Sequence, residues 1–199
     1  MSANNVVIIA SGGANIASLQ FALQRLGTTS AVSANARKIR EASHVILPGV
    51  GAAPHAMSRL RQNNLETLIA SLRQPVLGIC LGMHLLCETS EEGEAQCLGI
   101  IPGRAQRLPS DLGLPVPHMG WNTLKIDRAG VLLDGLQQDD YAYFVHSYAL
   151  PPSEATIASS HYGLAFSACM QWRNFFGVQF HPERSAKVGA HLLRNFLKL

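Results

Sequence analysis

Charge is scarce in this chain. Only 15% of its 199 residues are Asp, Glu, Lys or Arg, 47% are hydrophobic, and the formal net charge is +3. That balance excludes a disordered polymer and fits a rather apolar globular protein. There is no Lys/Arg block. The densest basic cluster, Arg37-Lys38-Ile39-Arg40, is short and reads as a solvated face, so no nucleic acid is expected as a partner. Long apolar runs are missing too. The opening MSANNVVIIASGG has no basic stretch and only a short apolar run, which argues against a signal peptide or a membrane span. Cys80, Cys87, Cys97 and Cys169 form no Cys-x-x-Cys pair and no framework spacing. With no export signal they are expected as reduced thiols in a cytoplasmic protein. No metal motif is visible, the glycines after the first apolar run do not spell G-x-G-x-x-G, and neither metal nor cofactor is expected. No linker, repeat or low-complexity segment interrupts the chain, whose length suits a single α/β domain over residues 1–199.

What is present is a sequence of short apolar strands and helical patterns. Val6-Val7-Ile8-Ile9-Ala10 is a continuous apolar run of the kind buried on both faces of a parallel sheet. Ile16, Leu19, Leu23 and Leu26 follow at helical spacing, with Gly27 as the stop. A second strand is expected over 28–33, a third over 44–47, and a helix through Leu65, Leu68, Ile69 and Leu72. From 97 to 167 helical periodicity nearly vanishes. Short strands are expected over 99–108, 116–126, 141–149, 156–161 and 164–172, an antiparallel or mixed continuation of the sheet. The run 175–180 is again an apolar strand, and Ser185 is placed to cap a closing helix carrying Val188, Leu192, Phe196 and Leu199.

The stretch Pro75–Glu88, PVLGICLGMHLLCE, carries the chemistry. An apolar strand breaks at Gly78-Ile79-Cys80-Leu81-Gly82 directly into a helical pattern. A nucleophile at such a break, with Gly two residues to either side, forms a nucleophile elbow. The turn places the thiol near a helix N-terminus, where free N–H groups favour thiolate and can hold an oxyanion. A buried cysteine ending a core strand is the competing reading. Pro48-Gly49-Val50-Gly51-Ala52 ends another strand at the same expected sheet edge. It is either an ordinary turn or a loop that aims an N–H at Cys80.

His181-Pro182-Glu183 supplies the second half. Proline forces the preceding residue into an extended conformation, and in extended chain residues i and i+2 face one side. His181 and Glu183 then project together as a base and its orienter; a strand-end His beside a solvated Glu is the alternative. Pro117–Asn122 (PHMGWN) and Tyr143–Tyr148 (YFVHSY) are either functional or plain strand and turn. Among the other histidines, His84 and His146 stand out by position.

Together ILPGVGA (46–52), GICLGM (78–83), PHMGWN (117–122), YFVHSY (143–148) and GVQFHPE (177–183) resemble the class I glutamine amidotransferases. Within them the chain is most similar to the glutaminase subunits of imidazole glycerol phosphate synthase. The resemblance implies a flavodoxin-like fold: an open mixed, mainly parallel sheet flanked by helices, with an antiparallel extension. It implies that Cys80 is the nucleophile, His181 the general base and acid, and Glu183 its orienter. Val50 and Leu81 would supply the oxyanion hole, and Gly49, Gly51, His84, Ser147 and Tyr148 would bind glutamine. Asn15, Met119, Trp121 and Asn122 would face a (β/α)8-barrel cyclase subunit in a heterodimer. The family usually has Gln at position 84, and its first turn commonly reads D-Y-G-x-G-N, of which only Gly12 and Asn15 match here. Another class I glutaminase, of the anthranilate synthase or GMP synthase type, and a non-catalytic member of the fold are the alternatives.

Overall fold

The computed structural model describes residues 5–10, 16–49, 51–111 and 113–199. Four parallel strands are formed early: β1 (Val6–Ile9), β2 (Ser30–Ser33), β3 (His44–Gly49) and β4 (Val76–Cys80). Helices α1 (Ile16–Arg25), α2 (Ala36–Glu41), α3 (Ala53–Gln62), α4 (Glu66–Ser71) and α5 (Leu81–Leu86) intervene or follow, and α6 (Ala186–Phe196) closes the chain. The main sheet has the order β2-β1-β3-β4, then Phe175–Val178, Leu164–Trp172, Thr156–Tyr162 and Lys125–Ile126. Pairing is parallel from β2 to Phe175–Val178 and antiparallel beyond it. The fold is therefore the open, mainly parallel sheet with an antiparallel extension that the sequence led us to expect.

The apolar runs explain why the sheet is covered on both sides. Val6 and Ile8 join Ile46, Leu77 and Ile79 in one cluster, under Leu19 and Leu23 of α1 and Leu192, Leu193 and Phe196 of α6. Val7 and Ile9 point the other way, into a cluster with Val45, Leu47 and Val76 under α2 to α5. Successive strand residues face opposite sides, so an all-apolar strand needs a helix layer on each.

Several elements depart from the sequence expectation. The helical spacing of Leu65, Leu68, Ile69 and Leu72 is α4 with its two caps, and a further helix, α3, precedes it across a turn at Asn64 with φ 54°. The segment from 87 to 149 does not all continue the main sheet. His118–Thr123 pairs antiparallel with Tyr141–His146 in a separate two-stranded ribbon. Cys87–Ser90, Ala95–Gln96, Ile101–Arg107 and Tyr148–Ala149 form a four-stranded sheet of their own. Ser185 precedes α6 but its hydroxyl does not cap it. The Oγ donates to the His181 carbonyl (2.8 Å) and accepts from the Tyr143 amide (2.9 Å), with the side chain fully buried. That tie holds the Tyr141–His146 strand against the turn that carries His181.

Candidate active site

Cys80 is the last residue of β4 and sits at φ 52°, ψ −114°, with α5 starting at the next residue. A non-glycine residue there stores strain on the order of 1–3 kcal/mol, which surrounding packing must hold. The packing is visible. A Cβ at Gly82 would overlap the Leu47 carbonyl oxygen of β3, and one at Gly49 would run into the Gly82 amide nitrogen. These two glycines let α5 press its first turn directly onto β3. The elbow expected from Gly78-Ile79-Cys80-Leu81-Gly82 is therefore present.

Register brings the other parts to it. Gly49 lies directly across from Cys80 on one side, and Val178 pairs with Ile79 on the other. Gln179 thus follows beside Cys80, and His181 lies two residues on. His181 is extended, at φ −97°, ψ 101°, as the proline requires. Glu183, however, is not in extended chain: Pro182–Arg184 forms one 3₁₀ turn. The turn still delivers the contact, His181 Nδ1 to Glu183 Oε1 at 3.0 Å, between side chains only 7% and 2% exposed. Glu183 Oε2 is buried without a partner among the described residues. Burial disfavours a charged His181. Its hydrogen bonds to Cys80 and Glu183, and the negative charge both can carry, outweigh that and raise it to about 10. At neutral pH the arrangement favours the imidazolium form of His181.

A cavity of about 400 Å³ opens at this edge, within the range that holds a small polar ligand. Gly49, Gly51, Cys80, Leu81, Ser147 and Tyr148 line it, together with His84, His146, His181 and Arg184. Val50 and Asn15 lie outside the described residues. Leu81 opens the first turn of α5, where backbone N–H groups have no intrahelical acceptor. The expected site residues that are described therefore converge, apart from the interface set. Among the described residues, no group of three or more His, Cys, Asp or Glu comes together to hold a metal ion.

His84 lines this cavity and also has a partner within the protein. It is buried, and its Nε2 is bonded to Gln179 Oε1 at 2.8 Å. Burial lowers its pKa, with the Gln179 bond opposing, so the ring is held neutral. Its Nε2 is thus engaged by the protein. Gln179 in turn points its Nε2 at Cys80 Sγ, 3.9 Å away. Neither half of this contact was anticipated. A signal existed: Gln179 is the polar residue in an otherwise apolar strand and lies i−2 from His181.

The two histidine-bearing motifs also meet. His118 and His146 are cross-strand partners, with Nδ1 to Nε2 at 2.9 Å. His146 Nδ1 bonds the Tyr148 carbonyl at 2.9 Å, so Nδ1–H is the donor and Nε2 accepts from His118. Burial pulls His118 down to about 4 and His146 to about 3, and neither carries charge at neutral pH. This pair fixes the strand end before Ser147 and Tyr148 to the PHMGWN strand. On that strand Met119 and Trp121 are 62% and 52% exposed and share one face. Asn122 does not join them. Its amide donates to the His161 carbonyl (2.9 Å) and lies 3.4 Å from His118 Nε2, while its oxygen accepts from Thr123 N. Its amide is thus engaged in bracing the ribbon against the strand that carries His161. Trp121 packs edge-on against Tyr143, whose ring also meets the Arg184 guanidinium, 4.5 Å from the ring centroid.

A model of the class-I glutamine amidotransferases matches residues 7–199. The chain belongs to that family. It is 50% identical over 194 residues to the imidazole glycerol phosphate synthase subunit HisH of Haemophilus influenzae, covering 98% of this chain and 97% of that one. It is 51% identical over 195 residues to the HisH subunit of Idiomarina loihiensis, covering 98% of each. Among solved structures it resembles a GMP synthase-type protein from Thermoplasma acidophilum, with TM-score 0.78, 16% identity and coverage of 100% and 94%. A second glutamine amidotransferase structure matches with TM-score 0.75, 19% identity and 97% coverage of each chain. At those identities the structural likeness speaks to the fold alone.

Proposed function

We propose that this class I amidotransferase is the glutamine-hydrolysing subunit of an imidazole glycerol phosphate synthase. The observation that carries the reading is the meeting of Cys80, His181 and Glu183 at one sheet edge. It occurs in a chain half identical, nearly end to end, to subunits of that name.

The mechanism follows from the geometry. Cys80 thiolate attacks the side-chain amide carbon of glutamine. His181, held by Glu183, gives its proton to the departing nitrogen, and ammonia leaves. The γ-glutamyl thioester on Cys80 is then attacked by water, whose proton returns to His181, and glutamate is released. The Leu81 N–H, with Val50 as second donor, receives the oxyanion in both steps. Removing one such donor typically costs on the order of 10²–10³ in rate. Ser147 and Tyr148 hold the α-amino and carboxylate groups; Gly49 and Gly51 shape the loop beside them.

Ammonia then passes within a heterodimer to a (β/α)8-barrel cyclase, and so into histidine biosynthesis. Met119 and Trp121 form the exposed apolar face that suits such a partner. Residues 1–199 act as one amidotransferase domain, a reading supported by two apolar clusters on the faces of a single sheet. No helix among the described residues is long and apolar enough to cross a membrane; a cytoplasmic place fits a biosynthetic enzyme. The test is glutamate release by the chain alone and with the cyclase and its nucleotide-like ligand. Low turnover alone and a large rise in the complex is expected. Equal turnover in both would overturn the assignment to this synthase.

A further inference from the structure

We propose that Gln179 is a second catalytic donor to the Cys80 sulfur and that His84 is the positioning residue that holds it there. The proposal rests on Cys80 being the nucleophile. The backbone sets up the contact. Gln179 follows the strand that pairs with β4, so it stands beside Cys80, and alternation puts it on the same side as His181. His84 lies on α5, one turn past the elbow, where its ring reaches Gln179. The three side chains therefore meet in a line: His84 Nε2 to Gln179 Oε1 at 2.8 Å, and Gln179 Nε2 to Cys80 Sγ at 3.9 Å.

The order of donors follows from the amide orientation, with Oε1 on His84 and Nε2 on Cys80. An amide oxygen only accepts, so His84 must present Nε2–H to Oε1. In that tautomer the amide turns its N–H groups toward sulfur. The flipped amide would aim an oxygen lone pair at a thiolate and waste the His84 proton. Gln179 is 0% and His84 3% exposed, so water cannot replace either contact cheaply. A neutral imidazole is the form that suits this task, and burial keeps His84 neutral.

The charged and titratable groups around the sulfur are His181, Glu183 and Arg184 from the turn after Phe175–Val178, His84 from α5, His146 from the ribbon with Tyr148 just beyond it, and Glu92 from across the cavity. His181 supplies the proton chemistry. Gln179 supplies a donor that never gives up its proton, so it serves the sulfur in both half-reactions. When water attacks the thioester, the C–S bond breaks and sulfur leaves with the bonding pair. The water proton goes to His181, and the Gln179 N–H faces the anion that forms.

The test is the rate of iodoacetamide alkylation of Cys80 as a function of pH, read by peptide mass spectrometry without glutamine or partner. Cys87 and Cys169 are buried with raised pKa values, and Cys97 is raised to about 11, again chiefly by burial, so Cys80 is the thiol labelled first. His84→Leu should move the midpoint of the rate–pH profile up by about one unit, the worth of a hydrogen bond to an anion. His84→Gln, which keeps an N–H donor of similar reach, should restore the wild-type profile. Gln179→Leu should match His84→Leu, and the double variant should shift no further. If Gln179→Leu does not fold, the His84 pair alone decides. Superimposable profiles for wild type, His84→Leu and His84→Gln, with unchanged circular dichroism, overturn the proposal. An additive double variant does so as well. A chain that shows the predicted shifts but never hydrolyses glutamine would instead defeat the functional assignment.

Discussion

Glu183→Gln separates charge from shape at the contact that orients His181. The amide keeps an acceptor for the Nδ1 proton, now 3.0 Å from Glu183 Oε1, but removes the negative charge. In the native protein burial opposes an imidazolium, and Cys80 and Glu183 together more than offset it, raising His181 from 6.5 to about 10. A hydrogen bond to a charged group contributes about 1.5–3 kcal/mol. At 1.36 kcal/mol per unit, Glu183 accounts for roughly 1–2 units of the rise. Both side chains are at most 7% exposed, so solvent screens little of this. A folded-state value above the unfolded one stabilises fully below pH 6.5, and that contribution is lost as pH rises toward 10. Urea unfolding across that window should therefore show a decline in stability that is smaller in Glu183→Gln by about 1.5–3 kcal/mol. Glutamate release should fall on the order of 10²-fold, because the proton donor is weaker and less well aimed. KM for glutamine should change far less, since Glu183 contacts His181 rather than the substrate pocket. Parallel stability curves, or release within a few-fold of wild type, would refute the assignment of Glu183 as orienter.

Two further outcomes follow from the elbow. Cys80→Ala should fold and release no glutamate, and Cys80→Gly should be the more stable of the two by about 1 kcal/mol in urea, because φ 52° strains any residue with a Cβ. Gly82→Ala should lose about 1–3 kcal/mol or more and its glutaminase activity, as the added methyl overlaps the Leu47 carbonyl and lifts α5 off β3. A normal urea midpoint for Gly82→Ala would show that the elbow is looser than its packing indicates.

The parallel half of the fold is legible in the sequence because its strands are apolar on both faces. Val6–Ile9 and Val76–Ile79 have no polar residue to hide, and both faces are buried. The break at Cys80 is legible for a related reason: only glycine fits at 82, so the sequence records the close approach of backbone. The middle of the chain is not legible in the same way. Its strands can be found, but which sheet each joins depends on partners far away, such as His118 with His146 and Thr89 with Arg104. No local pattern encodes that choice. Side-chain duty is hidden likewise. Ser185 has the position of a helix cap and instead ties His181 to Tyr143; nothing local announces that the Asn122 amide braces His161. Nor does any local pattern announce that the His84 Nε2 meets Gln179, 95 residues away.

The most direct test of the account is covalent capture at Cys80. A chloroketone analogue of glutamine, incubated with the complex of this chain and its cyclase partner, should add one label per chain. Peptide mass spectrometry should find it on Cys80, with glutamine slowing the reaction and His181→Asn nearly abolishing it. A label on Cys97 instead, or labelling of Cys80 that glutamine does not slow, would contradict the claim that this thiol is the glutaminase nucleophile.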